Sequence, residues 1–108
     1  MVKITYYRKK HRLCVEGHAN SGETGHDLVC ASVSTLVYTL ASFVSSMASS
    51  GQVRAKCVKL GSGNARIGVK VAGEHDAAVM LIFDAICGGF TLLARDYPEF
   101  VKYEILEY

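Results

Sequence analysis

Between Gly17 and Cys30 the sequence reads GHANSGETGHDLVC, a run that gathers two histidines, an aspartate and a cysteine among three glycines. A thiol with an imidazole in reach is a nucleophile with its base, the pairing used for acyl transfer through a covalent intermediate. Asp27 reads as the N-cap of a helix opening at Leu28, which puts Cys30 in the first turn. There the unpaired backbone N–H groups and the positive end of the helix dipole favour a thiolate, and the same groups could hold an oxyanion. His18 and His26 both lie on the preceding loop, and spacing alone does not choose between them as base. Gly17, Gly22 and Gly25 let that loop take backbone angles closed to other residues. Ser34, four residues after Cys30, shares its helical face; it either donates a hydrogen bond near the thiolate or is a small residue that lets the helix pack closely. Asp27 is equally two-sided. As a cap it stabilises the helix by about 1 kcal/mol; as an orienter it accepts a hydrogen bond from a histidine and fixes its tautomer. Its charge opposes a thiolate unless a protonated histidine lies between them.

Two other chemistries fit the same stretch less well. Gly17 to Thr24 copies the glycine spacing of a phosphate-binding loop, but Glu23 stands where the lysine should be and repels phosphate. A zinc site could draw on His11, Cys14, His18, His26 and Cys30, with His26 and Cys30 at a spacing that shares one helical face. No second regular ligand pair follows. Cysteines in regular elements are usually small core residues, the reading for Cys57, Cys87 and Cys14.

The elements that must position the loop follow from periodicity. Val2 to Arg8 and Arg12 to Glu16 alternate as half-buried strands, and Arg8 to His11 between them suits a solvated hairpin tip. From Leu28 to Ala48, Val29, Val33, Leu36, Leu40, Phe43 and Met47 recur at spacings of four and three, the core stripe of a helix that Ser49-Ser50-Gly51 ends. Gln52 to Leu60 and Ala65 to Ala72 form a strand pair around Gly61-Ser62-Gly63-Asn64. Glu74 to Tyr97 reads as a second helix, apolar enough from Ala77 to Phe83 to predict burial on most sides. Gly88-Gly89 in its middle implies close approach of another backbone or a break, and Pro98 marks the stop. Val101, Tyr103 and Ile105 alternate in a last strand. The order strand-strand-helix-strand-strand-helix-strand predicts an α+β fold, a mainly antiparallel sheet with two helices packed on it. An uncovered edge or face would be remedied by a homodimer.

The whole 108 residues, half of them apolar and with one proline, suit a single domain. A formal charge of +2 is too mild to predict a nucleic-acid binder from charge alone. The four cysteines lack paired spacing, and no leader opens the chain, which fits reduced thiols in a cytoplasmic protein. Leu28 to Val53 holds no charged residue and is long enough to span a bilayer, but its many serines and threonines and its helical stripe favour a buried helix.

The run GHANSGETGHDLVCASVSTL, together with Tyr97-Pro98 before the last strand, resembles the ribosomal-processing cysteine protease family, Prp. The resemblance implies a small homodimeric endopeptidase without metal or cofactor. Such an enzyme removes the short N-terminal extension of the twenty-seventh protein of the bacterial large ribosomal subunit, cutting after an aromatic residue. It also implies His18 as general base, Cys30 as nucleophile, motif positions at Asp27 and Ser34, a glycine-rich loop that moves to admit the peptide, and no need of nucleic acid for catalysis. The alternative is a non-catalytic ribosome-assembly or ribosome-binding module whose Arg8 to Arg12 tip holds RNA.

Overall fold

The computed structural model describes residues 1–19 and 27–108. Gly22, Gly25, His26 and Glu23 therefore lie outside the described residues. The elements run β1 (Val2–Tyr7), a 3-10 turn (Arg8–Lys10), β2 (Arg12–Glu16), α1 (Leu28–Ser49), β3 (Val53–Gly61), β4 (Asn64–Val71), a second 3-10 turn (Gly73–His75), α2 (Asp76–Asp96) and β5 (Val101–Leu106). The sheet order is β3-β4-β2-β1-β5. All neighbours are antiparallel except β1 and β5, which are parallel because α2 carries the chain across between β4 and β5. The fold is thus α+β with a mostly antiparallel sheet, as the pattern predicts.

Alternation puts Val2, Ile4 and Tyr6 of β1, Leu13 and Val15 of β2, and Ile67 and Val69 of β4 on the face that meets the helices. Phe83 and Phe90 of α2 and Leu40 of α1 are fully buried against them, side chains worth about 1.5–3 kcal/mol each. Both helices are long and apolar enough by composition to cross a membrane, and here each lays one stripe on the sheet.

Two details of those stripes differ from the periodic reading. On α1 the buried set is Val29, Val33, Val37, Leu40, Val44 and Met47, and Phe43 is 46 % exposed. Leu36 turns instead toward α2, where a β-carbon on Gly89 would lie 2.7 Å from both of its δ-carbons. Gly89 therefore marks a close helix crossing, made with the Leu36 side chain and not with another backbone; Gly88 meets nothing within 4 Å, and α2 runs through the pair unbroken. Apolar residues occupy both 36 and 37, and both 43 and 44, so pattern cannot say which faces the sheet. On α2 only Val79, Phe83, Cys87 and Phe90 are buried, while Leu81 is 69 % exposed. One layer of sheet covers one side of a helix, so the expected burial on most sides does not occur.

The hairpin tip also departs from expectation at its last residue. Lys9 and Lys10 are exposed, but His11 is buried with φ +50, its ring edge-on to Phe83 and its Nε2 3.4 Å from Asp76 Oδ1. Arg8 folds back to Asp84 of α2, its Nε and Nη2 donating at 3.0 and 2.8 Å, and Tyr6 Oη donates to the same carboxylate at 2.9 Å. The Arg8 hydrogen bond holds Asp84 below the ordinary carboxyl range, while burial pushes the Tyr6 hydroxyl up. This cluster ties the end of β1 to α2. Of the cysteines read as core, Cys87 is buried, and burial pushes its thiol up to about 12. Cys14 and Cys57 are half-buried, and their register places them on the sheet face away from the helices.

Candidate active site

The end of β2 delivers His18. Gly17 takes φ +93, and its N–H donates to Gly63 O of the β3–β4 hairpin at 2.9 Å. A β-carbon at Gly17 would run into the carbonyl oxygen of Met1, so this turn admits only glycine. The N-terminal ammonium of Met1 donates to His18 O at 2.7 Å and fixes the backbone there.

The hairpin supplies the other wall. Ser62 and Gly63 form its two-residue turn, Gly63 with φ +71. A β-carbon on Gly63 would collide with Nε2 and Cε1 of His18, so the missing side chain is the berth in which the imidazole rests. Periodicity marks Gly63 only as a turn residue. Its part beside His18 is a tertiary contact that local sequence does not carry.

Cys30 comes from α1. Asp27 caps the helix with extended backbone, its Oδ1 accepting from Cys30 N–H at 3.0 Å, while its carbonyl accepts from Ala31 N–H at 3.1 Å. The predicted cap is therefore present, with a consequence for the oxyanion. The N–H of Cys30 is engaged by the cap and is not a free donor beside its own sulfur. Among the described residues, the donor that reaches the sulfur is Ala19 N–H, 3.3 Å from Cys30 Sγ. Ala19 is buried, so this contact pins the segment after His18 to the first turn of α1.

His18, Cys30 and Ser34 line one cleft of about 300 Å³, with the hairpin from Gly61 to Ala65 as its far wall. Val2, Val15, Val33 and Val37 form an apolar floor, and Tyr38 and Leu60 stand at the rim. The size lies at the lower end of the ~300–1,000 Å³ typical of ligand pockets. The structure thus brings His18, Asp27, Cys30 and Ser34 to one place, with no hydrogen bond between the His18 ring and Cys30 among the described residues. Among those residues, too, no group of three or more His, Cys, Asp or Glu stands close enough to hold a metal. His11 points to Asp76 and Phe83 instead, away from any shared ligand set. A thiol held by a backbone donor at a helix start, lining one cleft with an imidazole, can carry out nucleophilic attack on a carbonyl bound there.

The family model described as "Cysteine protease Prp" matches residues 1–102. No curated protein matches the chain in sequence. Among solved structures, the ribosomal processing protease Prp from S. aureus, in complex with a covalently linked product peptide, is similar at a TM-score of 0.72 and 21 % identity, over 97 % of each chain. The same protease in complex with a substrate peptide gives 0.67 at 21 % identity, again over 97 % of each chain. SMU.848 from Streptococcus mutans is similar at 0.68 and 31 % identity, over 99 % of this chain and 93 % of that one.

Proposed function

The chain belongs to the cysteine protease Prp family and is a cysteine peptidase, and we propose that its substrate is the short N-terminal extension of the twenty-seventh protein of the large ribosomal subunit, cut after an aromatic residue. The observation that carries this reading is the cleft that holds Cys30 and His18 above an apolar floor of four valines, suited to an aromatic side chain beside the scissile bond. The S. aureus protease's complexes with a substrate peptide and with a covalently linked product peptide support a peptide as the substrate.

In this reading His18 takes the thiol proton of Cys30, and Sγ bonds to the carbonyl carbon that follows the aromatic side chain. The tetrahedral oxyanion collapses, His18 returns the proton to the leaving amine, and a thioester remains. Water, deprotonated by His18, then releases the acid and frees the thiol. Ala19 N–H, which holds Sγ before attack, lies beside the carbon that Sγ bonds and can pass its hydrogen bond to the oxyanion. Asp27 and Ser34 support the geometry. The loop movement expected on peptide entry falls on the segment with Gly22 and Gly25, which lies outside the described residues.

A cytoplasmic homodimer completes the proposal. Tyr38 and Phe43 flank a shallow groove along α1 and are 58 % and 46 % exposed, apolar surface suited to a second copy.

The test is incubation of the purified protein with a peptide spanning that extension, alongside His18→Ala, His26→Ala and Cys30→Ser, with products read by mass. One cut after an aromatic residue, lost with His18 or Cys30 and kept with His26, is the expected result. No cut by the folded, reduced protein would point to the binding-module alternative, and loss with His26 in place of His18 would move the base.

A further inference from the structure

The two helices cover one face of the sheet, and among the described residues nothing covers the other. That open face collects the chain's cations. By register, β1 gives it Lys3, β2 Arg12, and β4 Arg66 and Lys70. The outer strands add Arg54, Lys59 and Lys102. All seven are exposed. Against them, among the described residues, stand Glu16 and Glu104 alone. Among the described residues, seven of the chain's twelve Lys and Arg thus meet two carboxylates, so the face carries a formal +5 in a chain whose net charge is +2. The mild net charge conceals a polarised molecule.

At the centre of this face a depression of about 250 Å³ lies among Lys3, Arg12 and Arg66, with Tyr7 in its wall. Lys10 sits 5.8 Å above the Tyr7 ring and adds its charge at the margin. Glu16 is only loosely held, 3.9 Å from Arg66 with both side chains more than half exposed, a pair that a phosphate can replace at little cost.

We infer that this open sheet face is a docking surface for RNA, engaged through the phosphate backbone. The choice of RNA as the polyanion rests on the proposed reading, in which the peptide to be cut belongs to a ribosomal protein. Charge complementarity favours a polyanion of some kind independently of that reading. An anionic membrane fits less well. Of the large exposed apolar side chains, Leu81, Leu92, Tyr38 and Phe43 belong to the helices and Val58, Leu60 and Ile105 to strand positions on the helix side, so the basic face has Tyr108 at its margin and little else to insert between lipids. The catalytic cleft is built from Val2, Val15, Val33 and Ala65 on the helix side, so RNA on the open face leaves the cleft free for the peptide.

The affinity for a fluorescein-labelled single RNA strand of about 20 nucleotides, read by anisotropy between 50 and 200 mM KCl, tests this. Five net phosphate contacts give a slope of log affinity against log salt of about −3.5, a loss of roughly 100-fold over that range. Lys3→Gln/Arg12→Gln/Arg66→Gln removes three of them, so the slope falls to about −1.4 and affinity at 50 mM drops at least tenfold. Arg95→Gln, on α2, changes affinity by less than twofold. Tm and cleavage of the isolated peptide are measured on each variant. An intact Tm with unchanged peptide cleavage ties the loss to the surface and not to unfolding. Failure of the wild type to bind RNA, equal binding by the triple variant, or tighter binding to phosphatidylserine vesicles than to RNA overturns the inference. Absence of peptide cleavage overturns the proposed reading while leaving the RNA result to stand by itself.

Discussion

Asp27 offers the sharpest separation of structural from electrostatic work in the cleft. Asp27→Ala and Asp27→Asn both delete the negative charge and whatever that charge does, but only asparagine keeps an oxygen able to accept from Cys30 N–H, now 3.0 Å from Asp27 Oδ1. The cap bond to Cys30 N–H is therefore kept in one variant and lost in the other. Loss of an N-cap acceptor costs about 1 kcal/mol, within a range of roughly 0.5–2. In a domain of this size that lowers Tm by about 4–8 °C, so Asp27→Ala is expected to melt that much below Asp27→Asn in a circular-dichroism scan. The same 1 kcal/mol bounds the effect on Cys30. If the first turn of α1 frays by that amount, the population with Cys30 in place falls about fivefold, and the two variants should differ in peptide kcat/KM by no more than that. Coincident melting curves would refute the cap as a source of stability. A gap in kcat/KM beyond about 30-fold would refute the bound, because even the ~2 kcal/mol at the top of that range cannot produce it.

Three further outcomes follow from packing and charge. A β-carbon on Gly88 meets nothing within 4 Å, so Gly88→Ala gains helix propensity of up to about 1 kcal/mol and raises Tm, whereas Gly89→Ala must displace Leu36 and shows no such gain; equal gains in the two melts would refute the close crossing. Asp84 is held below its unfolded value of about 3.9, so its contribution is fully present above pH 4 and is lost as pH falls through the lower folded value. Urea midpoints of Asp84→Asn against wild type should therefore converge below about pH 4, and a gap that stays constant down to pH 2 would sink the argument. Iodoacetamide followed by peptide mapping should label Cys30 before Cys57 and Cys14, and Cys87 last, since Cys87 is both buried and pushed up to about 12. Labelling of Cys57 at the rate of Cys30 would remove the case for an activated thiol.

What could be read from the sequence divides along a physical line. Strands, helices and the Asp27 cap are local, set by period and by one side chain against the backbone within three residues, and they stand where the pattern puts them. What pattern misses is decided by the third dimension. Leu36 and Val37 are both apolar, and only the crossing at Gly89 selects which one faces the sheet. His11 belongs to a basic tip by composition, yet a left-handed backbone turns its ring onto Phe83, a residue 72 positions away. Gly63 carries no chemistry of its own, and it enters the site only because the hairpin returns beside β2.

The same reasoning explains why net charge misleads. Alternation sends every second residue of five strands to one side, and a period of two at positions such as Lys3, Arg12, Arg66 and Lys102 accumulates charge that is scattered along the chain. A sheet with helices on one side only must therefore do something with its other face. In this molecule the helix side holds the cleft and the exposed apolar surface, and the open side holds the cations. A polyanion on the open side therefore leaves the cleft free for a peptide, whereas Tyr38 belongs both to the rim of that cleft and to the groove along α1.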